Sequence, residues 1–155
     1  MAETDKPAKH PILPPVYFLG AIVLMVALDR FLPVASLIEP PVTFLGWILF
    51  ALGLAVAFAV NWRFKRAGTT IKPFENSSAL VTDGPFAFSR NPIYLGAVVS
   101  LFGIFVVLGS LSPLAVVPPF VYIIRTRFIA AEERMLEEAF GEAYRDYMKR
   151  VRRWL

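Results

Sequence analysis

The sequence has no cysteine, a single histidine, His10, and no charged side chain anywhere in the 34 residues from Asn91 to Ile124. Without cysteine there is no disulfide framework, no thiol nucleophile and no thiolate metal site. One histidine in a polar N-terminal stretch leaves no ligand set for a histidine-based metal site, so no metal is expected. Charge is scarce throughout: Asp, Glu, Lys and Arg make up 18% of residues against 57% apolar, and the mean hydropathy is +0.59. Those values lie far from an ordinary soluble domain. A charge-free run of such length belongs in lipid. The chain is basic, with 16 Lys and Arg against 12 Asp and Glu and a pI near 9.6. In a membrane protein that excess marks inner loops and contact with anionic headgroups rather than nucleic acid.

At 155 residues the chain is read as one all-α membrane domain of about four transmembrane segments. Residues 1–10 form a polar tail and 11–62 two spans. Residues 63–90 make a cytosolic loop, 91–126 a helical hairpin and 127–155 an amphipathic cytosolic helix. Lys6 and Lys9 precede an apolar stretch, but no small-x-small cleavage site follows, so the first span is read as uncleaved. Pro14 and Pro15 suit its start. The second span, Pro40 to Trp62, is long enough to cross with some tilt. The charge-free run cannot be one helix, because at ~1.5 Å per residue it would reach about 50 Å. Gly109-Ser110-Leu111-Ser112-Pro113 is the natural break, and Pro118-Pro119 predicts a kink in the second limb. With four spans and both termini inside, 15 Lys and Arg lie on the inner side against Arg30 alone outside. In the tail, Leu136, Phe140, Tyr144, Tyr147, Val151 and Trp154 recur at helical spacing with charged faces between them. That pattern predicts a helix laid on the membrane surface or folded back over the loop.

The polar residues of chemical interest stand at the two mouths of the charge-free run. Ser89-Arg90-Asn91-Pro92-Ile93-Tyr94 leads in. Arg125 and Arg127 lead out, followed by Glu132-Glu133. A hairpin would bring those mouths together at one membrane face, where a water-borne reagent could meet a lipid-borne substrate. Each residue also has a plain structural role. Asp83-Gly84-Pro85 is a turn signal, and Gly84 would also let the backbone approach a ligand. Arg90 suits an interfacial anchor, or a bidentate grip on a carboxylate or phosphate. Asn91-Pro92 is a cap followed by a first-turn proline. Tyr94 suits an interfacial belt. Glu132 and Glu133 suit a solvated helix face. Adjacent carboxylates diverge by about 100° on a helix, so only one is expected to face a pocket squarely, and Glu133 is the favoured one.

Taken together the blocks are distinctive. Thr69-Thr70-Ile71-Lys72-Pro73-Phe74, then Ser78 to Gly96 with its Asp83-Gly84-Pro85 and Ser89-Arg90-Asn91-Pro92 segments, then Glu132-Glu133-x-x-Leu136-x-x-x-Phe140-Gly141-x-x-Tyr144-x-x-Tyr147, resemble one superfamily. It is that of the isoprenylcysteine carboxyl methyltransferases and phospholipid methyltransferases, integral membrane enzymes. The resemblance covers roughly Thr69 to Val151. It implies S-adenosylmethionine as methyl donor, bound by Val81, Gly84, Pro85, Phe86, Arg90, Asn91, Pro92, Tyr94, Glu132 and Glu133 under the C-terminal helix. It implies catalytic roles for Arg90 and Glu133, and a lipidic or small amphiphilic acceptor at the cytosolic face. Carboxyl methyltransferases of the superfamily carry His where this chain has Asn91. Asn hydrogen-bonds but does not titrate near neutrality, which counts against general-base chemistry there. The competing readings are amine or thiol methylation on the same fold, a sterol-reductase-like enzyme using NADPH, and a small four-span exporter. An exporter of cations should hold an acid well inside a span, whereas Asp29 lies at a span end.

Overall fold

A computed structural model describes residues 13–67 and 80–155. The motif Thr69 to Phe74, Ser78, Lys72 and the N-terminal lysines lie outside the described residues. Five α-helices run in order: α1 Pro14–Phe31, α2 Phe44–Ala67, α3 Pro92–Leu108, α4 Val117–Ile123 and α5 Ala130–Arg150. Short 3-10 turns at Gly84–Ala87 and Ser112–Val116 lead into α3 and α4. A π-helical turn, Ile124–Ile129, joins α4 to α5.

Among the described residues, three helices are long and apolar enough to cross a membrane: Pro14–Phe31, Phe44–Arg66 and the continuous helical stretch Ser112–Arg150. The fourth expected crossing, α3, is apolar but has only 17 residues. The 39-residue stretch would reach ~58 Å at about 1.5 Å per residue, twice a bilayer core. Only its charge-free part, up to Ile124, is read as membrane-embedded. Large apolar side chains face outward along the spans, Phe58 at 73% and Val23 at 68% exposure, as lipid contact requires.

The hairpin breaks where the sequence places it. Gly109 closes α3 with φ +79, a left-handed turn that costs glycine little. Its carbonyl accepts the Leu37 and Ile38 amides at 2.8 and 3.1 Å. Pro118-Pro119 behaves differently from the expected kink. The two prolines sit in the first turn of α4, where no helical amide is lost, so they start a helix.

Helices α2 and α3 are antiparallel and touch backbone to backbone. A Cβ at Gly46 would lie 2.5 Å from the Gly103 carbonyl, and one at Gly96 would lie 2.6 Å from the Gly53 carbonyl. Small residues at one spacing on both helices permit this approach. The main core gathers Met25 of α1, Leu101 and Ile104 of α3, Phe120 of α4 and Ile124, Phe128 and Ile129 of the π turn. A second cluster, Val60, Phe86, Tyr144 and Tyr147, packs α5 over the Gly84 turn and the end of α2. Of the two placements expected for the tail helix, the structure takes the folded-back one. The helix is also less regular than its spacing suggests: Gly141 interrupts it at φ 52, and residues 151–155 leave it as a non-helical strap.

Candidate functional site

The site is built where the strap, the Gly84 turn, the start of α3 and the start of α5 converge. Gly84 has φ +61, and the Arg63 side chain lies against it while pairing with Asp83. That turn buries Phe86 edge-on against Phe64 of α2, with ring centroids 5.4 Å apart. The Tyr147 hydroxyl donates to the Phe86 carbonyl at 2.7 Å, fixing α5 to the turn. Pro85 opens the turn, and Val81 packs in the same cluster.

Residues 89–91 are stitched to the strap. The Arg90 amide donates to the Arg152 carbonyl at 3.0 Å. The Ser89 hydroxyl and the Asn91 side-chain amide both donate to the Arg153 carbonyl, at 3.3 and 3.0 Å. Asn91 therefore occupies the N-cap position of α3 without capping it, because its side chain is spent on the strap. Pro92 fills the first helical position and is buried.

The two acids serve different partners. Glu132 accepts the Tyr94 hydroxyl at 2.7 Å. Burial, opposed by that hydrogen bond and aided by the neighbouring Glu133 charge, pushes the Glu132 carboxyl up to about 7. Glu133 is gripped by two guanidinium groups. Arg153 donates Nε at 3.1 Å and Nη2 at 2.5 Å, a bidentate fork, and Arg90 Nη2 stands 3.3 Å away. The Glu133 and Arg90 side chains are only 12% and 11% exposed. Both acids are thus turned inward, where only one was expected. Their divergence on the helix points one toward α3 and the other toward the strap, and both directions lead into protein.

Arg90 is left with two buried donors, Nε and Nη1, that have no hydrogen-bond partner among the described residues. Two unpaired N–H groups of a buried guanidinium are costly, and in native structures such groups are met by a water, an ion or a ligand. The fully buried Tyr144 stands beside Arg90 and Glu133, and burial pushes its phenol upward, so it stays a donor. Among the described residues no three His, Cys, Asp or Glu side chains gather as metal ligands would.

All ten residues singled out in the sequence lie around this one region. Four further participants are Ser89, Tyr144 and Tyr147, which the sequence motifs contain without assigning them a role, and Arg153, which no motif contains. The two tyrosines were legible as part of an apolar helix stripe and of the acidic-pair motif, without a role of their own. Arg153 was one of several basic residues counted for orientation, and nothing local marks it as the partner of an acid 20 positions earlier.

Searches of the curated proteins and of the solved structures return no match. The family profile described as phospholipid methyltransferase matches residues 41–143, two-thirds of the chain. That stretch contains α2, the Gly84 turn, the hairpin and the acidic pair, so the site's main parts fall within it. With three helices able to cross a membrane and this match, the chain is an integral membrane protein belonging to the phospholipid methyltransferase family.

Proposed function

We propose that the chain transfers a methyl group from S-adenosylmethionine to a lipidic or small amphiphilic acceptor at the cytosolic membrane face. The observation that carries this reading is that Arg90 and Glu132 offer groups of complementary charge, Arg90 in contact with Glu133 and Glu132 beside Glu133 in the chain. Arg90 offers two buried, unpartnered N–H donors, and Glu132 offers a carboxylate bonded to one phenol. The donor's amino-acid end carries a carboxylate and an ammonium, which fit those groups respectively. Glu133, already held by two guanidiniums, serves as the anchor that orients Arg90. When bound, the cofactor supplies an electrophilic methyl group on a sulfonium.

The protein's share of such a displacement is alignment and exclusion of water. Gly84, Pro85, Phe86 and Val81 supply a wall, Asn91 and Pro92 hold the strap and the helix start, and Tyr94 sets the Glu132 carboxylate. The turn at residues 80–90 and the C-terminal segment 127–155 act as the cover over a cytosolic site, with both termini on that side. Among acceptors, the family description and Asn91 together favour a phospholipid over a prenylcysteine carboxylate. Calorimetry in detergent with S-adenosylhomocysteine and, separately, NADPH tests the reading. Binding of the former alone is expected, and binding of NADPH alone would overturn it.

A further inference from the structure

Between α1 and α4, away from the polar site, runs an apolar groove of about 390 Å³. Its α1 side is Tyr17, Gly20, Ala21, Leu24 and Leu28, all on one helix face, and Phe120 stands opposite. From Tyr17 to Leu28 it extends about 17 Å at ~1.5 Å per residue. Both of its walls belong to membrane-crossing stretches, so hydrocarbon is the surrounding solvent there.

Two observations point to an occupant. The first is Gly20. At Gly46, Gly53, Gly96 and Gly103 a Cβ would strike backbone, so packing accounts for the glycine. A Cβ at Gly20 meets nothing within 4 Å. This glycine serves no contact inside the protein; what its missing side chain provides is room in the groove. The second is a packed connection between one end of the groove and the polar site. The end of the groove at Tyr17 is closed by Phe128, whose ring lies edge-on at 5.5 Å and 71°. Phe128 shares its core cluster with Tyr94, the donor to Glu132, and Glu132 follows Phe128 by four residues. Arg125 and Arg127, both exposed, follow within four residues of Ile123, the last lining residue of the α4 wall, and supply positive charge suited to an anionic phosphate.

We propose that this groove binds one acyl chain of the methyl-accepting phospholipid, with its phosphate at the exposed arginines that follow Ile123 and its headgroup directed toward the polar site. The inference rests on the methyltransferase reading for the identity of its occupant, while the groove itself is tested without it.

Gly20→Phe fills the groove from a position with space for a side chain. Val23→Phe places the same ring on the outward face of α1, 68% exposed, as a control. Each purified protein is equilibrated with dioleoyl amine-headed phospholipid in detergent, and the lipid retained is counted by native mass spectrometry. Wild type and Val23→Phe should retain a lipid that Gly20→Phe loses. In the transfer assay Gly20→Phe should raise KM for the dioleoyl lipid at least tenfold. Its S-adenosylhomocysteine affinity and its turnover of a short-chain lipid with the same headgroup should stay unchanged. Equal lipid retention by wild type and Gly20→Phe would overturn the groove assignment, as would retention lost equally in both phenylalanine variants. Retention lost only in Gly20→Phe, with no S-adenosylhomocysteine bound by wild type, would support an acyl site and overturn the methyltransferase reading instead. Gly20→Leu repeats the test should the larger ring prevent folding.

Discussion

Tyr94 in the first turn of α3 donates its hydroxyl to Glu132 in the first turn of α5 across 2.7 Å. The bond joins the two mouths of the charge-free run and is the direct link between the hairpin's opening helix and the acidic pair. It also favours the charged form of a carboxyl that burial drives toward the neutral one, leaving Glu132 poised at about 7.

A cationic ligand at Glu132 should therefore displace a proton. S-adenosylhomocysteine affinity is expected to rise with pH up to about 7 and to level off above it. The limiting slope for one proton is about tenfold per pH unit. Calorimetry in buffers of different ionisation enthalpy measures the released proton directly. Tyr94→Phe, which removes the bond favouring the anion, should move the break to higher pH.

Stability of the unliganded protein should run the opposite way. The folded-state value of Glu132 is raised from 4.5 to about 7. The stability it contributes is fully present below pH 4.5 and is lost as pH rises through 7. Thermal midpoints in detergent should be lower at pH 8 than at pH 5. Glu132→Gln, neutral at every pH, should flatten that difference.

Arg90→Ala removes the two unpartnered donors proposed to hold a carboxylate. The expected loss is about 1.5–3 kcal/mol for charge-assisted bonds, roughly ten- to 150-fold in S-adenosylhomocysteine affinity. Unchanged binding by a folded variant would leave Arg90 as an anchor for Glu133 alone.

Glu133 should behave differently from its neighbour. Glu133→Gln weakens both guanidinium contacts at once and leaves a mostly buried Arg90 without its charge partner. A loss of about 3 kcal/mol or more is expected when one member of a buried pair is removed. Its thermal midpoint should fall well below that of Glu132→Gln at pH 7. Arg153→Ala, which removes a more exposed partner, should fall between the two.

Glycine substitutions should separate packing from space. Gly103→Ala would set a Cβ 2.5 Å from the Phe50 amide nitrogen and 2.6 Å from the Gly46 carbonyl. Forcing α2 and α3 apart should cost about 1–3 kcal/mol. Gly20→Ala meets nothing and should be neutral or slightly stabilising through helix propensity. Thermal unfolding of the two variants in one detergent makes the comparison.

The spans, the Gly109 break and the nearness of the ten candidate residues to the hairpin's mouths were legible because each rests on a local signal: hydropathy, a left-handed glycine, or a motif at a hairpin mouth. The inward turn of both acids was not. Helical periodicity reports which residues share a face, and it says nothing of how many sides of that helix are enclosed. At Glu132 and Glu133 α3 closes one side and the strap another. The strap was missed for a related reason. Arg153 reaches Glu133 only because α5 stops at Arg150 and the chain turns back along Ser89 to Asn91. The expected kink at Pro118-Pro119 failed because a 3-10 turn precedes the pair, which converts an interior position into a helix start.

The lengths of α2 and α3 have a consequence for where the protein can reside. The 17 apolar residues of α3 span ~26 Å and the apolar part of α2, from Phe44 to Trp62, about 28 Å, both short of a ~30 Å hydrocarbon layer. Fastened to each other at Gly46–Gly103 and Gly53–Gly96, the two helices cannot relieve this mismatch by sliding or by tilting separately. The surrounding bilayer has to thin beside the pair instead. Membrane thickness is thereby coupled to this fold, and sheets of shorter or more fluid lipids become its preferred surroundings.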